Sequence, residues 1–239
     1  MTRIAEASPS LRARIAGLFY FLTFLTGGLA VAFTGKIIIS GDAAATMNNI
    51  LAHEPAFWFG FAAYLAVIVC YIVVTALFYE LFKLVNESIS LLAAFFSLVG
   101  CTIQAFAAAF FAIPVLLLKD PQYLHVFKVE ELQVLAFMFL KLYGPAYNVG
   151  LVFFGFYCLL IGYLIFRSSF LPRTVGILMV FAGLGWLTFL VPPLASYLSP
   201  YNRIPGVLGE ASLTLWLLIM GVNAEKGIEV AAIPDGRKS

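Results

Sequence analysis

The chain has 239 residues, 63% of them hydrophobic and only 11% charged, with a net charge of +2. Soluble domains carry about 25% charged residues, so no soluble fold could bury this much apolar surface. The near-neutral balance, with no basic patch interleaved with aromatics, argues against a nucleic-acid partner.

Six long apolar runs follow one another. A bilayer core about 30 Å thick needs about 20 apolar residues in a helix to cross it. Hydrocarbon offers no partner to backbone polar groups, so such runs must be helical. The first run, Ile15–Thr34, follows Arg12 and Arg14. Ala30-Val31-Ala32 resembles a cleavage site, but the run exceeds the roughly 7–15 residues of a signal core and is read as an uncleaved span. Asp42 is then placed to cap a short helix running to Glu54, with Pro55 as its stop. Ala43, Met47, Ile50 and Leu51 share one face of it, as in a helix lying on the membrane surface.

The second run, Phe57–Phe82, turns through Lys83–Ser88 into the third, Ile89–Leu118. Thirty residues make a helix of about 45 Å, so the third span must tilt or bend, with Pro114 as the expected bend. Asp120-Pro121 reads as the start of a second outer segment through Tyr123, Leu124 and Phe127 toward Leu140. It leads into the fourth run, Pro145–Phe166. A short turn, Arg167–Leu171, precedes the fifth run, Pro172–Leu190, which ends before Pro192-Pro193. The sixth run is Ile204–Val222. Tyr197, Tyr201, Trp58, Tyr123 and Tyr143 fall near the outer boundaries, as an aromatic belt does.

The expected fold is all-α: a polytopic membrane protein with a six-transmembrane-helix bundle and short amphipathic helices in the outer loops. Residues 14–222 form the membrane domain, with tails at 1–13 and 223–239. Nine basic residues (Arg3, Arg12, Arg14, Lys83, Arg167, Arg173, Lys226, Arg237, Lys238) fall on one side and five (Lys36, Lys119, Lys128, Lys141, Arg203) on the other. The positive-inside rule therefore puts both termini in the cytoplasm.

Ionisable groups inside a span are expensive and mark candidate sites. Glu80, near the inner end of the second run, is placed to pair with Lys83. Glu210 lies inside the sixth run. It either pairs with Arg203 near the helix start or faces the bundle. Gln104 in the third run and Tyr147 and Asn148 in the fourth lie at a similar depth, and the expected site is an outward-opening polar pocket of Glu210, Asn148, Gln104 and Tyr147. Two stripes of small residues, Asn148/Gly155/Gly162 and Ser97/Gly100/Gln104/Ala108, also suit helix–helix packing.

Cys70, Cys101 and Cys158 form no C-x-x-C pair and read as packing residues. His53 and His125 are too few for a zinc site, and neither metal nor cofactor is expected. No phosphate loop, nucleophile elbow or dinucleotide fingerprint occurs.

Several stretches carry a resemblance when taken in order. They are Arg14-Ile15-Ala16-Gly17-Leu18, Gly41-Asp42-Ala43-Ala44-Ala45 with Asn48-Asn49-Ile50-Leu51, and Val85-Asn86-Glu87-Ser88-Ile89-Ser90-Leu91-Leu92-Ala93-Ala94. Asn148-Val149-Gly150-Leu151-Val152-Phe153-Phe154-Gly155, Gly162-Tyr163-Leu164-Ile165, Phe170-Leu171-Pro172-Arg173 and Gly209-Glu210 continue the series. From Arg14 to about Val222 the chain resembles the DUF4386 family of bacterial membrane proteins. The resemblance implies a protein of the bacterial cytoplasmic (inner) membrane and no known reaction. Ser97 stands where many relatives carry Arg, and Tyr157 where several carry His.

Three functions are compatible with these residues. The first is binding of a lipid or small amphiphile in the outward pocket. The second is an intramembrane enzyme, an isomerase, cyclase or hydrolase of a lipophilic substrate using Glu210. The third is a structural or regulatory membrane partner without a ligand.

Overall fold

The structure, a computed structural model, describes residues 9–120 and 125–222. The expected tails before Pro9 and after Val222, and the segment through Pro121, Tyr123 and Leu124, lie outside the described residues. Among the described residues every regular element is helical. In chain order these are α1 (Pro9–Thr34), α2 (Ala43–Ala52), α3 (Glu54–Phe82), α4 (Glu87–Lys119), α5 (Val129–Arg167), α6 (Arg173–Leu187), α7 (Pro192–Leu198) and α8 (Ile204–Ile219). Short 3₁₀ turns at Thr188–Leu190 and Tyr201–Arg203 flank α7.

Among the described residues five segments are long and apolar enough to cross a membrane: Ser10–Thr34, Glu54–Phe82, Glu87–Lys119, Val129–Arg167 and Arg173–Leu190. This is a multi-pass membrane protein. The sixth apolar run is helical over the 16 residues of α8, about 24 Å, which is shorter than a bilayer core.

Several boundaries differ from those the sequence suggests, each for a local reason. α2 has its cap where expected: the Ala45 amide donates to Asp42 Oδ1 at 2.8 Å. It ends at Ala52 rather than Glu54, because Pro55 opens α3 instead of stopping α2. Proline is tolerated in a first helical turn, where its missing N–H costs nothing. Leu51 is exposed, and the buried face of α2 is Thr46, Met47 and Ile50. The fourth long helix starts at Val129, and Pro145 lies inside it. Pro114 likewise lies within α4.

The chain divides into two compact units. The second, Leu22–Val69 with Cys101–Gly150, has a core of Ile37, Met47, Ile50, Phe57, Phe111, Val115, Leu132 and Leu140 among others. Phe57 stacks on Phe111 with centroids 4.5 Å apart. Thr46 Oγ1 accepts from the Ile39 amide at 3.0 Å, tying the connection before α2 to the helix itself. Lys119 pairs with Glu54 at 2.7 Å, and Trp58 Nε1 donates to the same carboxylate. Tyr143 packs on Tyr64 and Phe111 within this unit.

The first unit, Met1–Phe21, Cys70–Gly100 and Leu151–Ser239, is built on glycine contacts. A Cβ on Gly155 would come within 3.1 Å of the Gly183 carbonyl oxygen, and one on Gly183 within 2.7 Å of the Gly155 oxygen. Gly162 and Gly176 oppose each other in the same way, at 3.0 and 3.1 Å. α5 and α6 therefore run antiparallel with backbones in contact, as small residues allow between membrane helices. A Cβ on Gly209 of α8 would meet the Leu178 carbonyl at 2.5 Å, and one on Gly17 of α1 the Leu218 amide nitrogen at 2.8 Å. Gly221, at φ +66°, ends α8 in the left-handed conformation that favours glycine, and its amide bonds the Leu217 carbonyl at 3.1 Å. At one end of this unit Lys83 pairs with Glu80 at 2.8 Å, and Arg12 approaches the same carboxylate at 4.0 Å.

Candidate functional site

These close approaches bring five polar side chains from five helices to one place in the first unit. Glu210 projects from α8. Trp186 of α6 donates its indole N–H to Glu210 Oε1 at 2.9 Å. Tyr71 of α3 donates its hydroxyl to Oε2 at 3.2 Å. Cys158 of α5 places its Sγ 3.9 Å from Oε1. Tyr20 of α1 sits beside the carboxyl, its hydroxyl 3.2 Å from that of Tyr71. Tyr20 and Tyr71 thus both reach the carboxyl with their hydroxyls and touch each other beside it.

Local sequence explains each position. Gly206 leaves room for the indole of Trp186 to lie against α8; any side chain there would collide with it. The Gly155–Gly183 contact lets α5 and α6 approach closely enough for Cys158 and Trp186 to serve the same oxygen. Tyr71 is fixed by rings on three sides, with centroids at 5.5 Å to Tyr20, 4.6 Å to Phe154 and 6.1 Å to Tyr157.

Tyr20, Tyr71, Cys158 and Trp186 are all buried, and Glu210, half-buried as a residue, sets its carboxyl among them. The donors therefore enclose the carboxyl. By helical rise Glu210 lies roughly 9 Å from the first residue of α8 and about 14 Å from its last. Tyr71 lies about 16 Å from the end of α3, and Cys158 about 14 Å from the end of α5. The cluster is thus deep within the apolar lengths of its helices.

The DUF4386 family, described as a domain of unknown function, matches residues 15–221. The chain belongs to the DUF4386 family. An uncharacterized protein of Archaeoglobus fulgidus is 31% identical over 90 residues, 36% of this chain. The chain covers 51% of that relative's length. No solved structure matches.

In this DUF4386 protein the four expected site residues divide between the two units. Glu210 belongs to the first; Gln104, Tyr147 and Asn148 belong to the second. There the Tyr64 hydroxyl donates to the backbone carbonyl of Gln104 at 3.3 Å, and the Tyr64 ring lies 6.2 Å from that of Tyr147. Gln104 is buried and Asn148 half-buried. Glu210 does not pair with Arg203, whose guanidinium lies over the Phe189 ring at 5.5 Å. Ser97 is hydrogen-bonded to Thr75 at 2.6 Å, and Thr75 also donates to the Tyr71 carbonyl at 2.8 Å.

Sequence reasoning missed Tyr20, Tyr71 and Trp186 because aromatic residues inside apolar runs read as bulk. A usable signal existed. Phenol and indole tips need a hydrogen-bond partner when buried, and all three fall inside apolar runs.

Proposed function

We propose that this DUF4386 protein is a six-crossing protein of the bacterial inner membrane that binds a lipid or small amphiphile at Glu210. One observation carries the binding reading: an ionisable carboxyl set deep in the apolar helices is oriented by buried neutral donors, the Trp186 indole and the Tyr71 hydroxyl. Ligand sites are mostly apolar, with a few oriented polar groups, and an ionisable residue held deep in a membrane bundle is a functional site by default. Five helices contribute to the arrangement, which is more than helix packing alone requires.

α8 supplies the sixth crossing in this reading, extended by the turn before it, with both termini cytoplasmic. The basic asymmetry supports that orientation. Glu210 is nearer the start of α8 than its end, so its shorter path to water opens outward. Reporter fusions after Gly41 and Asn202 should report the outside, and fusions after Glu87 and Ser169 the cytoplasm; a cytoplasmic signal at Gly41 overturns the orientation. The binding reading is tested by mass spectrometry of lipids retained on the purified protein. A compound enriched over the bulk bilayer in wild type and lost in Glu210→Ala is expected, and identical lipid profiles would refute the site.

The Cys158 thiol 3.9 Å from the carboxyl favours a second reading, an intramembrane enzyme acting on a lipophilic substrate. Carboxyl, thiol and phenol together supply proton donors and acceptors for an isomerase, cyclase or hydrolase. Here Glu210→Gln should abolish turnover while binding changes little.

A further inference from the structure

The groups that hold Glu210 are all neutral. Indole, phenol and thiol donate hydrogen bonds and supply no positive charge. Among the described residues no Lys, Arg or His pairs with this carboxyl; the ion pairs are Arg12–Glu80, Lys83–Glu80 and Lys119–Glu54. Arg203, the nearest base along the chain, is engaged on Phe189. A carboxylate removed from water is costly unless a cation pairs with it. Tyr20, Tyr71 and Trp186 reach the same group with their polar tips.

We propose that the ligand taken at Glu210 is a cationic amphiphile, with an amine or quaternary ammonium head against the carboxylate and an apolar tail. This rests on the reading of Glu210 as a ligand site and gives that ligand a charge. The cation supplies what the donors lack. An anionic head would face the carboxylate with no base to offset it. A neutral head would add one hydrogen bond to an acceptor that already has several donors.

The test uses the full chain in dodecyl maltoside with Trp58 and Trp216 replaced by Phe, so that fluorescence reports Trp186 alone. Hexadecyltrimethylammonium, hexadecanol and hexadecyl sulfate are titrated in turn. The cation should bind saturably and at least tenfold more tightly than the alcohol. Glu210→Gln should erase that preference and Glu80→Gln should keep it. Equal binding of cation and alcohol would overturn the charge assignment while leaving the amphiphile site standing. Failure of all three to bind saturably would overturn both readings. A preference that survives Glu210→Gln would show that another group creates it and would overturn the assignment to Glu210. If Glu210→Gln does not fold, the wild-type chain decides. Modification of Glu210 by dicyclohexylcarbodiimide, read by peptide mass, should be blocked by the cation and not by the alcohol; equal modification with either refutes the proposal.

Discussion

Replacing Gly206 by alanine tests whether the close approach of α6 and α8 builds the Glu210 site. A Cβ there would stand 2.7 Å from Cη2 of Trp186 and nearer still to Cζ2 and Cε2. Ordinary contact begins near 3.4 Å, so the ring must retreat by more than roughly 0.7 Å. The indole N–H now reaches Glu210 Oε1 at 2.9 Å, and a retreat of that size takes it past hydrogen-bonding range. Losing a hydrogen bond to a charged group costs about 1.5–3 kcal/mol, and overpacking adds about 1–3 kcal/mol. A combined loss of about 2.5–6 kcal/mol lowers the melting temperature by about 5–24 °C in a chain of this size. The assay is thermal unfolding in dodecyl maltoside, together with Trp186 emission in the Trp58→Phe, Trp216→Phe background. Both should change. An unaltered emission maximum with an unaltered melt would mean that Trp186 is not held between Gly206 and Glu210.

Two further substitutions probe the scaffold. Gly183→Leu drives a side chain into the Gly155 carbonyl and Leu159 and should separate α5 from α6, shortening the half-life at 40 °C by at least tenfold; a monodisperse protein with an unchanged half-life would refute that contact. Asp42→Ala removes the cap of α2 at a cost of about 1 kcal/mol, so amide exchange at Thr46–Ile50 in nanodiscs should accelerate about fivefold, and no acceleration would mean that the cap carries no weight.

Much of the helical plan was legible because the bilayer imposes a single rule, that an apolar run of sufficient length must be a helix. Ends were less legible than spans. Pro55 reads equally as a stop for α2 or a start for α3, and only the position of His53 as the cap of α2 resolves it. The long start of α5 was hidden by Pro145, which breaks the hydropathy run without breaking the helix. On α2 the apolar stripe divides, with Met47 and Ile50 buried and Leu51 exposed, a split that helical spacing alone does not specify. Thr46, polar by composition, is fully buried because its hydroxyl satisfies the Ile39 amide.

The site shows why an intramembrane carboxylate can be located from sequence while its partners cannot. Glu210 is conspicuous because charge is rare in an apolar run. Its partners are conspicuous only once the helices are placed, and the helices are placed by glycines. Gly155 and Gly162 were visible as a stripe on α5, but Gly176 and Gly183, at the same seven-residue spacing on α6, acquire meaning only as their antiparallel counterparts. That pairing sets Cys158 and Trp186 on the same carboxyl oxygen, and Gly206 admits the indole that reaches it. Scaffold and site are therefore one arrangement. A chain that kept Glu210 but lost these glycines would retain the charge without the donors that orient it, and the glycines at 155, 183 and 206 are as diagnostic of this site as the carboxylate itself.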